Sequence, residues 1–184
     1  MKNNVISRSL HDVGLAAWFG GTLANAVALN RAAGAAATPS STGAVANAGW
    51  DAWTPVNAAA IGVHLVGSVG QLAGNKSRLA SQQGVLGMSV VKTALTAAAL
   101  GVTAYSRVLG RKVSEHEAVP AASGTEPTAT TPPEVAKAQA QLKALQWAIP
   151  AVTGALLVVS SFAGEQQRPA SALSGLTDRL TLGR

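Results

Sequence analysis

Charged side chains gather in short segments of this chain and leave long stretches between them empty. Residues 13–29, 54–73 and 145–163 contain no Asp, Glu, Lys or Arg, and residues 84–106 contain only Lys92. A helix needs about 20 mainly apolar residues to cross the hydrocarbon core of a bilayer, with a range of roughly 17–25. All four stretches meet that requirement. They also lack the polar face of a soluble surface helix. Asn25 is the only strongly polar side chain in the first, and the fourth has Gln146, Thr153 and two serines. Helices that are apolar all round are either buried in a large protein or placed in lipid. A chain of 184 residues cannot cover four of them. The pattern predicts an all-α fold, a four-helix transmembrane bundle forming a single integral membrane domain over 1–184.

The segments between the spans carry their own signals. Residues 32–50 are uncharged but small and polar, with Pro39 among them, and read as a loop. Lys2 and Arg8 precede an apolar run, the layout of a signal peptide. The run exceeds the usual h-region of 7–15 residues, and three more spans follow, so the first helix reads as uncleaved. Asp12 is placed to cap the first span, with His11 at the membrane surface. Gly20 and Ala24 form a small-xxx-small face for a neighbouring helix. Trp50 and Trp53 stand ahead of the second span as interfacial anchors. Pro55 suits its first turn, and Gly70 and Gly74 close it with a GxxxG. The short turn 75–83 predicts that the second and third helices are antiparallel neighbours.

The linker 113–133 is rich in Pro, Thr and Ala, has no apolar period, and is expected to be disordered. Thr131 would then cap a helix opened by Pro132 and Pro133. That helix would run without a break into the fourth span and kink at Pro150. Residues 170–182 space their leucines as a short amphipathic surface helix would, though a frayed tail accounts for them equally well.

Composition sharpens this picture. The chain is 48% hydrophobic and 12% charged, against about 25% charged in an ordinary soluble domain. The absence of Cys excludes disulfides, thiolate metal sites and a Cys nucleophile. The net charge of +6 comes from basic residues scattered beside the spans. That distribution suits anionic lipid and lacks the basic, aromatic face of a nucleic-acid binder. Four spans put both termini on one side of the membrane. The basic residues divide almost evenly between the two sides. Their density in the first 12 residues and in the second turn leans toward cytoplasmic termini in the cell membrane.

Polar residues within the spans are the candidate chemistry. Asn57, His64 and Gln71 recur every seven residues, and Ser68 lies four beyond His64, so the four share one helical stripe. Ser89, Thr96 and Thr103 form a second stripe, with Lys92 and Thr93 on or beside it. One reading is hydrogen bonding between helices. The other assigns function to ionisable groups in the membrane, here His64 and Lys92. Lys92 lies about 12 Å along the axis from residue 84 and could snorkel to the surface. The three His have no i, i+4 partner, and two Met without Cys offer a metal few ligands. There is no nucleophile elbow, no phosphate loop and no carboxylate pair within a span, so neither catalysis nor a cofactor is expected. The expected role is a non-catalytic structural or accessory subunit packing against a partner complex, another copy of itself or lipid. The alternative is a small proton- or ion-linked transporter using His64 and Lys92.

Residues 10–30, LHDVGLAAWFGGTLANAVALN, resemble the opening of small multi-pass membrane proteins of actinobacterial type, and GEQQRP at 164–169 fits the same group. The HDxGLAxWFGG pattern is similar to the four-helix family of transmembrane protein 205 and the copper-resistance D type domains. The resemblance implies a membrane protein and carries no site residue with it.

Overall fold

The computed structural model describes residues 4–76, 83–115 and 119–166. The expected surface helix at 170–182 and most of the turn 75–83 lie outside the described residues. The elements are α1 (Val5–Ala24), a five-residue π-turn (Asn25–Leu29), α2 (Asn30–Ala33), α3 (Pro39–Gly74), α4 (Gln83–Ser114), strands β1 (Ala121–Ser123) and β2 (Glu126–Pro127), and α5 (Pro133–Gln166). Four helical stretches are long and apolar enough to cross a membrane: Val5–Ala33, Pro39–Gly74, Leu86–Ser114 and Pro133–Ala163. The chain has the build of a multi-pass, all-α membrane protein.

Two helix starts differ from the sequence expectation. Helix α1 begins at Val5, so Asp12 is an interior residue and not its cap. The Asp12 carboxylate instead accepts from His11 Nδ1 at 2.8 Å. Helix α3 begins at Pro39, which makes most of 32–50 helical where a loop was expected. Thr38 is extended, and its hydroxyl accepts from the Ser41 amide at 3.1 Å. A Thr cap followed by Pro at the first helical position is a strong start signal, and it overrides the polar composition behind it. That polar third of α3 does not need to be oily, because Thr42, Gly43 and Ala46 are buried against protein. At about 1.5 Å per residue the 36 residues of α3 span roughly 54 Å, well beyond a core of about 30 Å. Trp50, Trp53 and Pro55 consequently lie inside α3 and not ahead of it.

Helices α1 and α3 meet along a seam of small residues. A Cβ on Gly14 would fall 2.5 Å from the Ala60 carbonyl oxygen and 2.5 Å from the His64 amide. A Cβ on Gly67 would fall 2.6 Å from the Ser7 carbonyl oxygen. Only hydrogen atoms fit at these crossings, so the two backbones touch. Gly70 and Gly74 extend the seam against Ser7 and Asn4, so the GxxxG serves internal packing. Gly20 has nothing within 4 Å. The expected face at Gly20 and Ala24 is therefore not the contact; Gly14 and Gly21 provide it. Leu15 and Trp18 carry the seam into a core with Ala60, Ala99, Ile149 and Leu156.

The linker holds more order than its composition suggested. Residues 121–127 form an antiparallel hairpin in which Ala121 faces Pro127 and Ser123 faces Glu126. Val119 and Ala121 are each 1% exposed. Val119 packs with Leu109, Val113, Val135 and Ala138. Burying one such side chain is worth about 1.5–3 kcal/mol, enough to offset the ordering of one or two residues of backbone. The Val119 carbonyl lies on Gly43 of α3, at a spot any Cβ would occupy. Thr131 was expected to cap the last helix. Its hydroxyl instead donates to the Pro120 carbonyl and accepts from the Thr128 amide, tying the hairpin shut. Helix α5 then runs unbroken through Pro150 into the fourth span.

Candidate functional site

Helix α1 packs along α3, α5 packs along α4, and α1 meets α5. Helices α3 and α4 are successive in sequence and antiparallel, yet they do not pack along one another. They face each other across a cleft. The two helices are thus antiparallel and adjacent, as the short turn predicts, but without close backbone contact. A short connection brings two helices to the same end of a bundle, but side-chain volume decides which of them touch, and the glycine seam gives α3 to α1.

Leu100 of α4 lines both halves of the cleft and divides it. The first half has a volume of about 320 Å³ and is lined by His11, Ser68, Gln71, Asn75, Ser89, Lys92, Thr93 and Thr96 among apolar side chains. The second half, about 280 Å³, lies toward the hairpin and is lined by Trp50, Trp53, Asn57, Thr103, Arg107 and Gln146 with aliphatic walls.

The predicted stripe is split by this arrangement. Ser68, Gln71, Lys92 and Thr96 come together in the first half. Asn57 lies in the second. His64 lines neither half; it is 0% exposed and locked in the α1–α3 seam. Most of the hydroxyls bond to their own helix. Ser68 donates to the His64 carbonyl at 2.8 Å, Thr93 to Ser89 at 2.9 Å and Thr96 to Lys92 at 2.9 Å. The interhelical bond that the second stripe does make is Trp18 Nε1 donating to the Thr103 hydroxyl at 3.3 Å.

His11 was expected at the membrane surface and is 1% exposed. Its ring stands 4.5 Å, centroid to centroid, from that of His64, and Trp18 meets His64 edge-on at 6.1 Å. His64 Nδ1 donates to the His11 carbonyl at 3.2 Å. Both Nδ1 atoms act as donors, so in the neutral rings each Nε2 is an acceptor. Neither Nε2 has a partner among the described residues. Two imidazoles alone make a poor metal site, and no group of three His, Cys, Asp or Glu side chains is assembled among the described residues. The signal for this cluster was present in the sequence: His11, Trp18 and Asn25 recur every seven residues, the period of a buried helical seam.

A second polar centre had no sequence signature. Asn30 is 3% exposed. Its Nδ2 donates to Gln146 Oε1 at 2.7 Å and its Oδ1 accepts from Trp50 Nε1 at 3.0 Å. Its carbonyl accepts from the Gly124 amide at 3.1 Å. One side chain and its carbonyl thus join α2, α3, α5 and the hairpin. A π-turn, Asn25–Leu29, immediately precedes it.

Comparison of the chain with protein-family models, curated proteins and solved structures finds no match.

Proposed function

We propose that the chain is a non-catalytic multi-pass protein of the cell membrane, with cytoplasmic termini, that serves as an accessory subunit and holds an anionic lipid in the polar half of its α3–α4 cleft. The observation that carries this reading is Lys92. It lines the cleft among hydrogen-bonding side chains and makes no ion pair within 4 Å among the described residues; the Asp12 carboxylate, bonded to His11, acts on it only from farther away. A cation set within a span calls for a counter-charge, and a lipid phosphate entering from the side can supply one. His64 lies outside the cleft, which supports the lipid reading over a transporter built on His64 and Lys92.

The test is lipid retention. The full chain is reconstituted in nanodiscs of phosphatidylethanolamine and phosphatidylglycerol, and the lipid that stays bound after mild detergent exchange is identified by mass spectrometry. Phosphatidylglycerol should be enriched over the bulk, and Lys92→Met should reduce that enrichment roughly fivefold, the equivalent of about 1 kcal/mol for one basic residue. Equal retention by the variant contradicts the reading. A pH-dependent ion flux lost in Lys92→Met would favour the transporter.

A further inference from the structure

The four long helices form two pairs. Helix α1 packs along α3, α4 packs along α5, and the pairs meet where α1 touches α5. Leu15 and Trp18 of α1 join Ala99, Ile149 and Leu156 in that contact. The α1–α3 pair is tight all the way to the Lys92 side, where Gly67, Gly70 and Gly74 press on His11, Ser7 and Asn4. The cleft separates the pairs on the side away from the α1–α5 contact.

Polar ties between the pairs gather at the hairpin end. Arg107 Nη1 of α4 stands 3.5 Å from the Asp51 carboxylate of α3. Asn30 holds Gln146 of α5 and Trp50 of α3 at once. Trp18 of α1 donates to Thr103 of α4. The hairpin adds a strap. Val119 lies on Gly43 of α3 and packs with Leu109 of α4 and Val135 of α5, and Glu126 accepts from Lys143 of α5 at 2.7 Å. Past Leu100, toward Lys92, the bonds already described stay inside a pair. His64 donates to α1, and Ser68, Thr93 and Thr96 donate to their own helices. Separating the pairs at the hairpin end breaks every tie named above; separating them at the Lys92 end breaks none. Local opening follows the end that is held least. Residues 75–82 join α3 to α4 here, and at about 3.3 Å per residue that length reaches roughly 26 Å, so connectivity does not hold this end shut.

We infer that the two helix pairs are jaws hinged at the hairpin, and that the polar half of the cleft is their mouth, which opens sideways into the bilayer and closes on what enters. The identity of the occupant, an anionic headgroup, rests on the lipid reading; the motion rests on the packing. Hinged closure around a ligand needs a ligand that binds the closed state better than the open one. Lys92 comes to the mouth from α4, and Ser68 and Gln71 come from α3. A headgroup between them touches both jaws when they are closed and one when they are open, so its binding favours closure.

Spin-label distances at the two ends test this on the full chain, which has no native Cys. Ala73→Cys with Val90→Cys reports the mouth, and Val56→Cys with Val108→Cys reports the hinge; all four positions are exposed and none lines the cleft. Distances are measured by pulsed electron paramagnetic resonance in nanodiscs of phosphatidylethanolamine, with and without phosphatidylglycerol. Without it the mouth distribution should be broader than the hinge distribution. With it the mouth should narrow and shift to shorter distance, while the hinge stays as it was. Lys92→Met should keep the broad mouth and lose the narrowing. Asn30→Ala, which removes a tie, should broaden the hinge. A mouth as narrow as the hinge in both lipids overturns the inference, and so does a hinge as broad as the mouth in a chain that unfolds at the parent temperature. A narrow, lipid-independent mouth in a chain that still retains phosphatidylglycerol through Lys92 sinks the jaws alone. A mouth that opens in a chain whose lipid retention ignores Lys92 sinks the lipid reading and leaves the hinge.

Discussion

His11 and His64 are 53 positions apart in the chain, and their rings lie 4.5 Å apart in the fold. What brings them together is Gly14 and Gly67, which let α1 and α3 approach to backbone contact. His64 stood out in the sequence as an ionisable residue in a span, but only its burial tells its role. Wedged between two helices with Trp18 on its edge, it fills space and donates one hydrogen bond to the opposite helix. His64→Ala should therefore lower stability by about 2–5 kcal/mol, the cost of a core cavity, measured by reversible thermal unfolding in micelles. The same variant should retain phosphatidylglycerol as the parent does. Loss of retention with unchanged stability would make His64 a ligand-binding residue. Lys92, Ser68, Gln71 and Thr96 were legible as a group because their spacing put them on facing stripes. Trp53 and Arg107 were not, because their sharing one half of the cleft depends on how α3 and α4 are held apart, and no spacing within one helix records that.

At the scale of elements, the oily stretches were easy to read and their ends were not. Lipid demands apolar residues only inside the membrane, so hydropathy marks the spans and is silent on how far a helix continues beyond them. The polar start of α3 shows this: Thr38 and Pro39 carried the boundary, and composition pointed the other way. The hairpin escaped notice because its order comes from Val119 docking on residues of α4 and α5, a contact absent from local periodicity. The π-turn offers a sharper test. A π-turn inside a helix behaves as one inserted residue, and Ala28 in it is exposed. Deleting Ala28 should close the turn into regular α-helix and leave Asn30 in place, with Trp50 still bonded to it. Asn30→Ala should instead strand Gln146 and Trp50 and cost about 1–3 kcal/mol. Thermal unfolding together with the Trp50 indole signal compares the two. A deletion as damaging as Asn30→Ala would mean that the turn itself holds the structure.

For the whole molecule, the glycine seam gives α3 to α1 and leaves α4 held by α5, so a four-helix arc results with a cleft along one side. The cleft halves carry one cation each, Lys92 and Arg107, and Leu100 separates them. Function in this account resides in that open side, and the account holds only if the four helices lie in lipid. The chain has no Cys, so single cysteines report without background. Ala17, Ala59, Ala98 and Ala155 each lie within one of the four spans and are exposed on the protein surface. Each is replaced in turn by Cys in intact membranes and challenged with a water-soluble maleimide before and after detergent is added. All four should resist labelling until the bilayer is dissolved and then react fully; prompt labelling of these positions in sealed membranes would show that they face water, and the account would be wrong.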